Sequence, residues 1–386
     1  MFCIGIVVGE SSGDLLAAEL VESLLQLNPN IKVVGILGPK LRALGGHAYF
    51  EMEKLNVMGF FEVVKHLPRL YKIKRQLLTY FKSSPPDVFI GVDYQEFNLA
   101  LEKDIRSLNI PTIHYVSPTV WAWRPKRIYK VAKACDHLLT VFPFEARYYQ
   151  DTQLPVTFVG HPLAKSLQPL APAQARQQLG LPTDKKVITL LPGSRMSELQ
   201  QLAKLFLQTA ELLQEKGDYL FLLPTVDDEK YDVLKKLIED NFSTLPLYLL
   251  RGQSHQAISA ADVVLTASGT ATLECLLLER PMVVAYRLTP LTYFFAKRLI
   301  KLPNIALPNI LAGEKLVPEF IQAQVQPQLL AESLSHYLNN ELDLMNLKQQ
   351  FQLLRGKLIA ESNSAAKLIL KYSAGYVIGS RGQAAG

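Results

Sequence analysis

The stretch Ile188–Leu202, ITLLPGSRMSELQQL, changes character midway. Four apolar or β-branched residues run into Pro192-Gly193-Ser194-Arg195, and a polar-apolar pattern of helical period follows. The pattern is that of a strand turning directly into a helix. The first amides of a helix have no intrahelical acceptor, and the aligned peptide dipoles place roughly half a positive charge at that end. Arg195 adds a full charge in a fork that matches phosphate oxygens. An anion is therefore expected against Gly193, Ser194 and Arg195. A second reading stays open, in which Ser194 and Glu198 simply cap the helix and Arg195 faces solvent.

Outward from this turn, short apolar runs alternate with helical patterns. Strands are predicted near Cys3–Gly9, Lys32–Leu37, Asp87–Val92, Thr112–Val116, His137–Val141 and Val156–Val159, with helices such as Asp14–Leu27 and Asn98–Leu108 between them. After Gly160-His161-Pro162 comes SLQPLAPAQARQQLGLPTDKK, which holds three prolines and no apolar run and is expected to be a linker. The alternation restarts near Val187–Leu191, Tyr219–Leu223, Leu247–Leu250, Val263–Thr266 and Met282–Tyr286. Continuous apolar strands joined by helices imply parallel sheets covered on both faces. The fold class is thus α/β: two doubly wound, Rossmann-like halves, residues 1–165 and 166–345, expected to face each other across a cleft. A C-terminal helix and tail, 346–386, could pack back on the first half or on a partner chain. In open α/β sheets, ligands lie beyond the carboxyl ends of the strands, which directs attention to the strand-to-helix turns.

Composition sets the limits. A chain of 386 residues, 49% hydrophobic and 20% charged, has room for two cores. Its excess of 41 Lys+Arg over 35 Asp+Glu suits phosphates or an anionic surface without deciding between them. Three cysteines, Cys3, Cys135 and Cys275, form no CxxC pair, which argues against a disulfide framework or zinc knuckle and fits a reducing compartment. The opening MFCIGIVVGESSGD lacks a basic n-region and is expected to be mature fold rather than a signal peptide. No run of eighteen uncharged apolar residues is present.

Four turns carry the remaining signal. GESSGD, Gly9–Asp14, opens a helix with glycines, but Glu10 and Asp14 would repel a phosphate, so sugar hydroxyls suit Glu10, Ser12, Gly13 and Asp14 better; a plain helix cap is equally open. ASGTATLECLLLERPMVVAYR, Ala267–Arg287, places small Ser268, Gly269 and Thr270 at a helix start and Glu274 one turn in, where a carboxylate could accept ribose hydroxyls or reach back to its own helix. Two small-residue helix starts in one half argue for a nucleotide diphosphate. FIGVDYQEFN, Phe89–Asn98, ends a buried strand on Asp93, either a local cap or a group placed for proton transfer. HYVSPTVWAWRPKR, His114–Arg127, holds Trp121 and Trp123, which pack in a core or wall a sugar or acyl site, and Arg124, which meets a phosphate or solvent.

GESSGD, KLNVMGFFEVVKHLPRL, DVFIGVDYQEFN, IHYVSPTVWAWRPKR, LLPGSRMSEL, ASGTATLECLLLERPMVVAYR and LPNILAG together resemble the lipid-A-disaccharide synthases, inverting glycosyltransferases of the GT-B fold. The motifs keep the family's order from about Ile4 to Gly313. The resemblance implies transfer of 2,3-diacylglucosamine from UDP to the 6-hydroxyl of 2,3-diacylglucosamine 1-phosphate (lipid X) at the cytoplasmic face of the Gram-negative inner membrane. Inversion calls for a single in-line displacement with a base and a stabilised leaving group. Asp93 is the expected base, worth typically about 10²–10⁴ in rate. Arg195, the helix starts and Arg287 are expected to meet the diphosphate. By the resemblance Glu274 holds the ribose and Asn309 lies near the donor. No Asp-x-Asp pair occurs, so no metal and no cofactor is expected. The family commonly has a small residue, proline and aspartate after the strand-tip aspartate, where this chain has Tyr94-Gln95-Glu96.

Lipid substrates need access from a bilayer. Gly59–Ser83 interleaves Phe60, Phe61 and other apolar residues with Lys65, Arg69 and further basic ones, a pattern that suits an anionic surface as well as it suits a core-packed helix. Leu291–Pro303 is a second such segment. Two rivals are a UDP-N-acetylglucosamine 2-epimerase, which needs no lipid-facing segment, and a non-enzymatic lipid or nucleotide carrier. Neither nucleic acid nor a metal is an expected partner; a homo-oligomer is compatible with the helix-rich C-terminal region.

Overall fold

A computed structural model describes residues 1–55, 60–289, 293, 303–361 and 363–372, and of residues 60–66 the helical backbone alone. The side chains of Phe60, Phe61 and Lys65 therefore lie outside the described residues, as do most of Leu291–Pro303 and the tail from 373 onward.

The first compact unit comprises Met1–Pro162 and the chain from Leu358. Its seven strands are β1 (Phe2–Val8), β2 (Ile31–Leu37), β3 (His47–Glu51), β4 (Val88–Val92), β5 (Thr112–Tyr115), β6 (His137–Thr140) and β7 (Val156–Phe158), in the order β3-β2-β1-β4-β5-β6-β7. All pairs are parallel, from Ile4↔Val88 in the middle to Leu138↔Val156 near the edge. The order reverses between β1 and β4, where the chain's crossovers go to opposite sides and leave a crevice beyond the strand ends. Every residue of β4 is buried, as a strand covered on both faces demands. The last described helix, Ser364–Lys371, buries Ala366 and Ile369 and packs on the first helix, Ser11–Leu27.

The second unit, Leu163–Lys357, repeats the scheme. Strands β8 (Lys186–Leu191), β9 (Tyr219–Thr225), β10 (Leu247–Arg251), β11 (Val263–Ala267), β12 (Met282–Tyr286) and β13 (Glu319–Ile321) run parallel in the order β10-β9-β8-β11-β12-β13. Here the reversal falls between β8 and β11. The two turns singled out in the sequence thus open side by side.

The segment expected to be a linker is folded. Pro172 opens a helix, Pro172–Gln178, and Ala175 and Leu181 join the core with Val187, Leu220 and Leu222. Arg176 ties this helix down: its Nη2 lies 2.6 Å from Asp262 Oδ2 and its Nε donates to the carbonyl of Ala260. Asp262 Oδ2 also accepts the amide of Val187 at 2.7 Å. The prolines mark a helix start, where the missing N–H costs nothing, rather than a loose connection. Replacing Asp262 by alanine strips a nearly buried guanidinium of its counter-ion, and should cost about 3 kcal/mol in urea unfolding. A loss below about 0.5 kcal/mol would contradict this account of the segment.

Candidate active site

Beyond β8 and β11 lies a cavity of about 560 Å³ lined by Gly193, Ser194, Arg195, Ser268, Gly269, Thr270 and Glu274. The structure therefore brings together seven of the nine residues expected on the donor side. Gly193 has φ +119°, and a Cβ there would stand 2.5 Å from that of Glu198, so only glycine makes this turn without strain. The geometry shows the capping reading of the turn and leaves the anion reading as an expectation. Glu198 Oε2 accepts the amides of Ser194 and Arg195, at 2.9 and 3.2 Å, and so caps the helix. The Arg195 side chain is 78% exposed, with Nη1 3.4 Å from Glu198 Oε1. An incoming anion meets a free-swinging guanidinium but competes with Glu198 for the amides. The β11 turn is more open: the helix Thr270–Leu277 has no side-chain cap at its start. Ser268 Oγ donates to the carbonyl of Ile305 and Thr272 Oγ1 to that of Gly269.

Glu274 does not reach back to its own helix start. It pairs with His255, with Oε1 3.4 Å from Nε2, and this contact holds the imidazole above its ordinary range. The sequence reading missed His255, and also Thr225, Gly252 and Tyr286, which complete the wall. The short GQSH turn after a strand was the signal available for His255.

Two donor-side expectations need correction. Arg287 is exposed and lies outside the lining. Asn309 is fully buried with its amide spent: Oδ1 accepts from Leu316 and Val317, and Nδ2 donates to Val317 O and Glu319 Oε1. Glu319 in turn accepts the amides of Ile305 and Ala306. Asn309 thus shapes the loop that Ser268 binds and has no hydrogen-bonding capacity left for a ligand.

In the first unit, beyond β1 and β4, a cavity of about 640 Å³ is lined by Asp93, Glu10 and Trp123 among the expected residues, with an apolar wall of Leu67, Leu70, Phe97 and Ala100. Lys74 and Arg127 add positive charge. Asp93 and Tyr94 both take left-handed backbone, φ +47° and +41°. Such strain costs of order 1–3 kcal/mol per residue and persists only where surroundings enforce it. Asn98 is the enforcer: its Nδ2 donates to the carbonyls of Asp93, Val92 and Val7 at 2.9, 3.1 and 3.3 Å. The Tyr94 ring lies against Gly9 and its hydroxyl donates to Leu55 O. Glu96 binds Arg127 and Lys130 at 2.6 and 2.7 Å. The family departure at Tyr94-Gln95-Glu96 is thus anchored at both ends. Burial pushes the Asp93 carboxyl above its ordinary range, opposed by His114 and by the Tyr94 amide. That shift moves a carboxylate toward the strength a general base needs.

Other expected contact residues do not line this cavity. Asp14 is buried and accepts the amides of Lys40 and Leu41, so it caps the neighbouring helix Pro39–Ala43 instead of meeting sugar. Gly13 packs where the first helix crosses β4, and Ser12 is exposed outside the cavity lining. Trp121 donates to Glu145 and stands edge-on to Phe144, while burial pushes Glu145 up to about 7. Arg124 lies over the Trp123 ring, 4.4 Å from its centre, and does not line the cavity. Among the described residues no group of three or more His, Cys, Asp or Glu is arranged to hold a metal.

Comparison with known proteins decides the family. The family model described as lipid-A-disaccharide synthetase matches residues 4–372. The lipid-A-disaccharide synthase of Pseudomonas aeruginosa strain UCBPP-PA14 is 48% identical over 339 residues, 87% of this chain and 89% of that one. That of Methylobacillus flagellatus is 43% identical over 374 residues, 96% of this chain and 99% of that one. The chain belongs to the lipid-A-disaccharide synthetase family. It is a glycosyltransferase of the GT-B type.

Among solved structures, a UDP complex of S. aureus MnaA aligns with TM-score 0.65 at 13% identity over 98% of both chains. The UDP-GlcNAc 2-epimerase of Neisseria meningitidis, bound to UDP-GlcNAc, aligns with TM-score 0.61 at 14% identity over 97% of this chain and 100% of that one. Such identities speak for the fold alone; it is the family match that sets the epimerase and carrier readings aside. Asn309→Ala should cost about 3 kcal/mol of unfolding free energy, because it orphans several buried backbone groups at once. Weakened UDP binding with stability unchanged would restore a direct ligand role.

Proposed function

We propose that the enzyme moves 2,3-diacylglucosamine from UDP to the 6-hydroxyl of lipid X, forming the β-1,6-linked disaccharide 1-phosphate and releasing UDP. The observation that carries the reading is the pairing of a family match over 4–372 with two cavities of complementary chemistry. The second unit offers Arg195 and the open helix start at Ser268–Thr270 to a diphosphate, and Glu274 to ribose hydroxyls. The first offers a raised carboxylate beside an apolar wall, as an acylated acceptor needs.

In the reaction the Asp93 carboxylate takes the proton of the 6-hydroxyl as its oxygen bonds to the anomeric carbon. The bond from that carbon to the UDP oxygen breaks on the opposite face, and UDP leaves with the electron pair. Inversion follows from the single displacement. Charge building on the diphosphate is met by Arg195 and the helix dipole, which act as preorganised electrostatic groups. Glu10 and Trp123, which line the same cavity as Asp93, contact the acceptor sugar. Mass spectrometry of products from the diacylated UDP donor and lipid X should show the disaccharide 1-phosphate, unchanged in EDTA. Asp93→Asn should lower turnover by at least about 10²-fold with UDP affinity kept. Near-normal turnover in that variant sinks the assignment.

The lipid substrates place the enzyme, in this reading, on the cytoplasmic face of the inner membrane. No described helix is long and apolar enough to cross a bilayer. The helix Phe60–Ser83 supports surface attachment, since Leu67 and Tyr71 are 53% and 62% exposed and lie among exposed Arg69, Lys72 and Arg75. Apolar side chains set among basic ones gain from both acyl burial and anionic headgroups. Leu67→Ser with Tyr71→Ser should reduce co-sedimentation with vesicles rich in anionic phospholipid at least threefold. Equal sedimentation of variant and wild type would count against this surface.

A further inference from the structure

The cavity that holds Asp93 carries more positive charge than its ion pairs use. Lys74 and Arg127 both line it. Lys74 is matched one to one, its Nζ 2.7 Å from Asp104 Oδ2. Around Arg127 the cations outnumber their partner. Glu96, in the first turn of the helix Gln95–Arg106, places Oε1 2.6 Å from Arg127 Nη2 and Oε2 2.7 Å from Lys130 Nζ. Burial raises the Glu96 carboxyl, but Lys130, Arg127 and Arg124 together outweigh it and hold the group below its ordinary range. Three cations thus act on one carboxylate, which leaves positive charge in excess.

Stability does not ask for this arrangement. The Arg127 side chain is 11% exposed and that of Glu96 67%. A guanidinium drawn so far from water loses hydration, and a carboxylate still in water returns little, because ion pairs open to solvent are weak. A carboxylate in the first turn of a helix also gains from the dipole with no cation beside it. The backbone aims the guanidinium instead at the cavity. Arg124 takes left-handed backbone, φ +53°, at the entry to the short turn Pro125–Arg127. Trp123 before it and Arg127 after it line the same cavity, while the Arg124 side chain lies over the Trp123 ring outside that lining. Lys130 follows in the helix Ile128–Ala134, three residues on, a spacing that shares a face. One N–H of Arg127 meets Glu96. A guanidinium has five, in a fork that fits phosphate oxygens.

The acceptor of the proposed reaction carries a matching anion. In a hexosamine 1-phosphate the hydroxymethyl carbon and the phosphate are attached to the two ring carbons that flank the ring oxygen. The 6-hydroxyl and the phosphate therefore share one edge of the sugar. Asp93 and Glu96 are three residues apart, so their Cα atoms lie within about 11 Å of each other. A 6-hydroxyl held at Asp93 brings the phosphate into the neighbourhood of Glu96 and its cations. We propose that Arg127, aimed by Glu96 and backed by Lys130, receives the anomeric phosphate of the acceptor and makes the enzyme select a phosphorylated sugar over its unphosphorylated counterpart. The inference rests on the proposed acceptor and reaction.

The test compares kcat/KM for lipid X and for the same diacylglucosamine without its phosphate, in non-ionic detergent micelles, for wild type and Arg127→Met. Folding is checked by circular dichroism. Wild type should favour lipid X by about 100-fold and Arg127→Met by less than about tenfold, the loss expected for a charge-assisted hydrogen bond. The change should appear in the KM for lipid X rather than in kcat, because the phosphate is bound alike before and during reaction. An equal fall with both acceptors means a merely structural role and overturns the proposal, as does a wild type indifferent to the phosphate. A preference that appears only on anionic phospholipid vesicles assigns the cations to headgroups and also overturns it. Should Arg127→Met not fold, the half-exposed Lys130→Met replaces it: its preference should fall at least about threefold, and an unchanged preference contradicts the site. If no protein makes disaccharide from either acceptor, the proposed reaction has itself failed and takes this inference with it. Product from wild type with the preference intact in the variant removes the phosphate site alone.

Discussion

Parallel strand pairing is the constraint from which the rest of the molecule follows. A parallel strand must leave its sheet at the same edge as its neighbours, and the chain must cross back over a face, usually as a helix. Each such exit puts a turn and a helix start at one rim. Where the strand order reverses, adjacent crossovers diverge and the rim opens into a crevice. In this chain the reversals fall between β1 and β4 in one unit and between β8 and β11 in the other. Asp93 stands at the first, and the Gly193–Arg195 and Ser268–Thr270 turns at the second. The topology thus places an acidic strand tip at one opening and two small-residue helix starts at the other.

Within those openings, chemistry is set by what each side chain is not obliged to do. Arg195 is only loosely held by Glu198, and so keeps its charge available. Asp93 has the reverse arrangement, a carboxylate fixed by a strained backbone that Asn98 holds through three carbonyls. Strain at Asp93 and Tyr94 is offset by that clamp and by the Tyr94 contacts with Gly9 and Leu55. In the proposed reaction, a base fixed before substrate arrives needs no reordering on binding.

The sheet and most of the rims were legible in the sequence because their signals are local. An apolar run followed by a small-residue step and a helical period can be read from fifteen residues, and Glu198 as a cap from five. Two of the four edge strands were not legible: β13 is three residues long, and β3 is an alternating stretch with no apolar run. Proline in Ser166–Lys186 misled because Pro172 starts a helix, a distinction that only the burial of Ala175 and Arg176 makes visible. The site residues that sequence reading misplaced share one cause. Asp14 is claimed by amides 26 and 27 residues later, Asn309 by Leu316, Val317 and Glu319, and Trp121 by Glu145. Whether a polar side chain faces a ligand depends on whether a distant partner has already satisfied it, and spacing does not carry that information.

The central claim is that the nucleotide's diphosphate is held by the turns after β8 and β11, in the second unit. A crystal structure of the full chain soaked with UDP tests it most directly. The account predicts phosphate oxygens within hydrogen-bonding distance of the Arg195 guanidinium and of the amides at Gly269–Ala271, with the ribose hydroxyls on Glu274. UDP seated in the first unit, or in the second unit away from both turns, would contradict it.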